Sequence, residues 1–162
     1  MSKSIKTLIL AALIAALPFT TQASELSTKF ALNLEITKKI AAAAEAYARE
    51  NDWNVIIAIV DDGGHLLYLQ RMDGAQIGSI EIAIRKAQSA INFKRPTKAF
   101  ADRVNSGGTA LITLPGAITF DGGHPIVHEG HYLGGIGVSG VTGEQDGFIA
   151  AAGAEVLSKI LK

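Results

Sequence analysis

The run Val55-Ile56-Ile57-Ala58-Ile59-Val60 constrains the fold most, because six consecutive apolar residues, five of them β-branched, leave no face for water. Read as a strand it is apolar on both alternating faces, so both sides of its sheet need cover. A helix is expected on one side, and a second subunit is the candidate for the other. Asp62-Gly63-Gly64 then turns the chain into His65-Leu66-Leu67-Tyr68-Leu69-Gln70-Arg71-Met72, which reads as the return strand of a β-hairpin.

Helical spacing fills the flanks. Ser27 is a candidate N-cap for a long first helix reaching about Asn51, with Phe30, Leu34, Ala41, Ala44 and Tyr47 on one face. Ser79 is the candidate cap of a second helix, with Glu81 in its first turn and Ile80, Ile84, Ala87 and Ile91 as its buried stripe. Pro96 stops that helix and Thr97 caps a short third one ending near Asn105-Ser106-Gly107-Gly108. Segments 117–120, 125–128 and 131–139 read as three more strands, the last two joined by the two-residue turn Glu129-Gly130. Thr142 and Gln145 form a capping box for a last helix, with Phe148, Ala151, Ala152, Val156 and Ile160 facing inward. The order α-β-β-α-α-β-β-β-α predicts an α+β fold with a five-stranded, mostly antiparallel sheet packed with helices.

The chain starts with a basic stretch at Lys3 and Lys6, a nearly continuous apolar run from Leu8 to Phe19, and small residues in Thr21-Gln22-Ala23. That is the pattern of a signal peptide over residues 1–23, leaving residues 24–162 as one exported domain, periplasmic or secreted. The apolar run falls short of the about 20 residues a membrane-crossing helix needs, so no membrane insertion is expected after leader removal. Fifteen basic and fifteen acidic residues cancel, which excludes a global field for nucleic acid or an acidic membrane. Cysteine is absent, which excludes disulfides, thiolate catalysis and Cys-based metal sites.

Gly135-Ile136-Gly137-Val138-Ser139-Gly140 matches the dinucleotide pattern G-x-G-x-x-G, but its glycines lie inside a strand and do not open a helix, so the nucleotide reading fails. Glycines on one strand face let another backbone or a flat ligand approach closely. Ser139 is no hydrolase elbow, since Val141 stands where glycine is required. His124, His128 and His131 fall close together, and the hairpin turn places His128 opposite His131, with Cβ atoms about 5 Å apart. Such a pair suits a divalent metal or an axial haem ligand; the plainer explanation is a solvated hairpin tip. His124 stands on a constrained loop and His65 at the start of a strand. Arg71 and Arg95 are candidates to grip a ligand carboxylate, while Asp-Gly after Met72 is an ordinary turn with Met72 in the core. Asp61, Asp62, Asp121 and Asp146 offer carboxylates, but no spacing singles out a catalytic pair.

Together, Val60-Asp61-Asp62-Gly63-Gly64-His65-Leu66-Leu67, Arg71-Met72-Asp73-Gly74-Ala75, Ser79-Ile80-Glu81-Ile82-Ala83, Arg95-Pro96-Thr97, Leu114-Pro115-Gly116, Gly135 to Gly140 and Glu144-Gln145-Asp146 resemble the GlcG/HbpS-like, or haem-degrading domain, family. The resemblance spans almost all of residues 24–162. It implies a profilin-like fold, assembly into homo-oligomers, haem binding and a link to iron or oxidative-stress handling, in some settings beside a sensor or enzyme partner. Members usually carry other residues where this chain has His128 and His131, so those two inherit no role.

A haem is a flat apolar plate with two carboxylates, needing a slot, a cation and an iron ligand. Gly135 and Gly137 are candidates for the slot and Arg71 or Arg95 for the propionates. His124, His128, His131, His65 or the loop at Thr109 are candidates for the ligand, and His128 with His131 for a divalent metal. The leading expectation is an exported haem-binding protein in haem or iron handling or sensing, with no catalytic residues of its own. Its rivals are a cofactor-free oligomeric accessory protein and a protein that binds or processes a small 2-hydroxy carboxylate.

Overall fold

The computed structural model describes residues 25–161. The expected signal peptide lies outside the described residues. Among the described residues, no helix is long and apolar enough to cross a membrane.

The apolar block forms strand β1, Ile56–Asp61, and the return strand is β2, Leu66–Arg71. The turn between them is fixed by Asp61, whose Oδ1 accepts the N–H groups of Gly63 at 2.9 Å and His65 at 2.8 Å. Two later strands, β3 (Gly123–His128) and β4 (His131–Ser139), form the second hairpin, and β4 pairs with β1. The sheet is antiparallel throughout, in the order β2-β1-β4-β3.

Among the described residues the sheet has four strands, not five. Residues 117–120 form a loop: the N–H of Ile118 donates to the Ser89 hydroxyl at 3.1 Å, and Phe120 is 66% exposed. The strand expected there does not form: this backbone bonds to a helix side chain and finds no ladder. The α+β class stands.

Both faces of β1 are covered by the chain's own helices, and no second subunit is needed for either. Ile56, Ala58 and Val60 pack against α2, Ser79–Asn92, which presents Ala83, Ala87 and Ile91. Val55, Ile57 and Ile59 join the main core on the other face with Ile136, Val138 and residues of α1 (Leu34–Glu50) and α4 (Gly143–Glu155). Each isoleucine buried there stabilises the fold by about 1.5–3 kcal/mol.

The first helix starts later than expected. Asn33 is its cap, accepting the Ile36 N–H at 2.8 Å, and the buried stripe is Ile40, Ala41, Ala44 and Ala48, with Phe30 and Leu34 exposed. Small residues decide this: α1 crosses α4 at Gly153, where an added Cβ would lie 3.1 Å from the Ala44 Cβ. Neither Ser79 nor Thr97 caps a helix with its side chain: the N-cap of α2 is Gly78, and Thr97 makes no capping bond at the start of the third helix. The Ser79 hydroxyl is buried 3.1 Å from the Ser139 hydroxyl. Thr97 clasps Gly123, its Oγ1 accepting the Gly123 N–H and its own N–H donating to the Gly123 carbonyl, both at 2.9 Å, which ties the start of α3 (Lys98–Asn105) to β3.

The capping box of Thr142 and Gln145 forms as expected. The inward face of α4 is Asp146, Gly147, Ile149, Ala150 and Gly153, whereas Phe148 is half exposed. A 3-10 turn, Thr109–Thr113, follows α3, and a short helix α5, Leu157–Ile160, follows α4.

Candidate functional site

The four histidines separate into three environments. His65 stands at the tip of the first hairpin, its side chain 83% exposed, with Nδ1 3.3 Å from Asp61 Oδ1. Burial pushes the Asp61 carboxyl up, but the N–H groups of His65 and Gly63 outweigh it and hold the carboxyl below its ordinary range. This pair organises a turn and borders no cavity described below.

His128 and His131 are direct Cα partners across β3 and β4, as the turn spacing requires. His128 lines a cavity. That cavity is an apolar groove of about 500 Å3, walled by Phe30, Leu32, Ile36, Leu133, Leu157 and Ile160. His131 meets the Phe30 ring edge-on, with ring centres 5.1 Å apart. The segment that carries Phe30 is pinned by Lys29, whose ammonium lies 2.7 Å from Asp62, and by Leu32, which packs over Gly134. The two imidazoles offer two donors. Among the described residues, no group of three or more His, Asp or Glu side chains is placed to hold a metal ion.

His124 sits at the other end of β3, partly buried, in a second groove of about 380 Å3 between α3 and α4. Burial lowers its pKa, against the opposing pull of Asp121 and Glu155. Asp121, half-buried at the floor, is raised by the same desolvation, partly offset by the Gly122 N–H and Lys98. The rim carries Lys98, Asp102 and Glu144.

The glycines expected to open a haem slot do not. An added Cβ on Gly135 would collide with the Ala87 carbonyl and one on Gly137 with the Ala83 carbonyl, so both are sealed by the α2 backbone. Their absent side chains let α2 lie close on the sheet; the close approach read from the sequence is by protein, not ligand. Arg71 and Arg95 are both exposed and line neither groove. Arg71 lies beside Ile56 at the end of the sheet where α2 begins, whereas Arg95 follows the end of α2, its guanidinium 5.8 Å from the Phe100 ring. Thr109 is exposed on the 3-10 turn and also lines neither groove.

One buried charged pair escaped the sequence reading. Lys86 of α2 reaches past the end of the sheet, and its Nζ donates to Asp146 Oδ2 at 2.8 Å and to the Val138 carbonyl at 3.0 Å. A lysine inside the stripe Ala83, Ala87 and Ala90 was the available signal. Together with Asp146 it fixes the floor beneath Asp121 and Gly122, where an added Cβ on Gly122 would meet Lys86 Nζ at 2.6 Å.

These features define a class: a small α+β module with helices on both sheet faces and ligand-sized grooves, one of them apolar and edged by histidine. The chain belongs to the HbpS-like family of haem degrading proteins, whose model matches residues 32–155. It is 42% identical over 114 residues to protein GlcG of Escherichia coli (strain K12), covering 70% of this chain and 85% of that one. HbpS of Streptomyces reticuli, crystallised as a double mutant, is 38% identical, with a TM-score of 0.75 over 88% of this chain and 98% of that one. A PduOC:heme complex is 31% identical, with a TM-score of 0.70 over 78% of this chain and 94% of that one.

Proposed function

We propose that this protein binds haem in the apolar groove between residues 25–33, α1, the second hairpin and α5, with His128 as the iron ligand. One observation carries the choice: among the described residues no carboxylate lines the His128 groove, whereas Asp102, Asp121 and Glu144 surround the groove at His124. A porphyrin with two propionates is repelled by the second and tolerated by the first. The volume of about 500 Å3 falls within the roughly 300–1,000 Å3 of ordinary ligand pockets, and the lining is aliphatic and aromatic with one imidazole, the donor set haem iron takes. Bound haem would supply redox-active iron. The protein's own part is to exclude water with Leu32, Leu133, Leu157 and Ile160, and to present His128 from a strand end. Family membership and the haem-bearing relative support the reading.

The basic start and apolar run before residue 24 support a protein that acts outside the cytoplasm, in the periplasm or secreted, in haem or iron handling or sensing. Homo-oligomeric assembly is supported by the edge strand β2, where Leu66 and Leu67 are exposed. Native mass measurement tests that assembly.

Titrating the purified protein with haemin, and recording the Soret band, tests the site. A shifted, saturable band is expected, lost in His128→Ala and retained in His65→Ala and His124→Ala. A free-haemin spectrum throughout, or an unchanged band in His128→Ala, would overturn the assignment.

A further inference from the structure

The groove at the far end of β3 is built for a different ligand. Pro96 just before α3, Ala99 on α3, and Phe148 and Ala151 on α4 form apolar walls. The adjoining depression carries the exposed ring of Phe120 and shares Lys98, Asp102, Asp121 and Glu144 with it. Lys98 is already engaged: its Nζ lies 2.7 Å and 2.9 Å from the two Asp102 oxygens. Among the described residues neither Asp121 nor Glu144 has an ion-pair partner. Asp121 Oδ1 accepts the Gly122 N–H at 2.7 Å, its carboxylate packs against Gly147, where a Cβ would displace it, and Asp121 lines both depressions.

We propose that this groove binds a small organic cation, an ammonium or guanidinium on an apolar body, with Asp121 and Glu144 meeting the charge and Phe148 and Ala151 the hydrocarbon. A half-buried carboxylate with no cation in direct contact is poorly solvated, and a ligand cation supplies the charge-assisted hydrogen bonds that water gives only in part. An exposed phenylalanine face adds cation–π attraction. His124, held neutral by burial, adds no opposing charge in neutral solution. The net charge of Lys98, Asp102, Asp121 and Glu144 is negative, which disfavours an anionic ligand of the same shape.

The site shares no lining residue with the His128 groove, so it stands or falls independently of haem binding. Benzylammonium is a suitable probe and benzyl alcohol its uncharged counterpart, each titrated into the full chain and followed by amide NMR. Benzylammonium is expected to shift the Gly122, Gly143 and Gly147 amides saturably, with benzyl alcohol at least tenfold weaker. The double substitution Asp121→Asn, Glu144→Gln is expected to weaken benzylammonium at least tenfold while amides near His128 stay in place. Equal binding of the two probes would reduce the groove to an apolar hollow, and unshifted glycine amides would remove the site. Both are readable on the unsubstituted protein, whatever the variant's stability.

Discussion

The ammonium of Lys86 lies 2.8 Å from the carboxylate of Asp146, and each side chain is only 3% exposed. The pair joins α2, on one face of the sheet, to the first turn of α4, on the other. Burial pushes the Asp146 carboxyl up while Lys86 and the Val141 N–H pull it back. Removing one partner leaves the other charge buried and unpaired, so Lys86→Met or Asp146→Asn is expected to cost about 3–5 kcal/mol in urea unfolding. The double variant Lys86→Met, Asp146→Asn is expected to cost less than the two single changes added together. Additive losses would show that the charges act separately.

Gly137→Ala tests how closely α2 lies on β4. The new methyl would overlap the Ala83 carbonyl, which belongs to helix backbone and cannot turn aside. Overpacking usually costs about 1–3 kcal/mol, and this site is expected at or above the upper end. Gly78→Ala, with nothing within 4 Å of the added carbon, is the control and is expected near neutral by thermal unfolding.

His124 makes stability depend on pH in a definite direction. Its folded-state pKa lies below the ordinary histidine value of 6.5, so the unfolded chain takes the proton first. Stability is therefore expected to fall as pH drops below about 6.5, until the folded pKa is passed, and to be unaffected by this group above that value. Comparing urea midpoints across that range, His124→Gln is expected to flatten the slope. An identical slope in the variant would place the titration elsewhere.

Phe30→Ala removes a wall of the proposed haem groove and the ring against His131. Phe30 is 56% exposed, so folding stability should change little. Haemin affinity is expected to weaken about tenfold, the equivalent of roughly 1.4 kcal/mol. Unchanged affinity by Soret titration would move the ligand away from this wall.

Thr142→Ala breaks the capping box that opens α4 beside Asp146. The Thr142 hydroxyl bonds the Gln145 side chain at 2.9 Å and accepts its N–H at 3.4 Å. A loss of about 1 kcal/mol is expected from chemical unfolding.

The hairpins and the capping box of α4 were legible because they depend on neighbours in sequence, whereas the caps read at Ser27 and Ser79 fall to Asn33 and Gly78 and Thr97 makes no capping bond. Asp62-Gly63-Gly64 and Glu129-Gly130 form turns as read, His128 pairs with His131, and Thr142 caps with Gln145. The family was also legible, since its motifs are ordered strings of residues. Residues 117–120 misled because a strand needs backbone partners, and here the Ile118 N–H goes to the Ser89 hydroxyl of α2. Phe148 misled because α4 buries its small residues, not its largest one, against α1 and the sheet.

The sequence by itself determined the hairpins, the helices, the α+β class and the family, since turn chemistry and hydrophobic period act over a few residues. Only the tertiary structure decided what lies against what: that Gly135 and Gly137 face a helix, that Lys86 finds Asp146, and that His124 stands in an acidic groove and His128 in an apolar one. Those outcomes depend on which side chains from distant segments share a volume, and on how much water is left between them. Local pattern carries neither quantity.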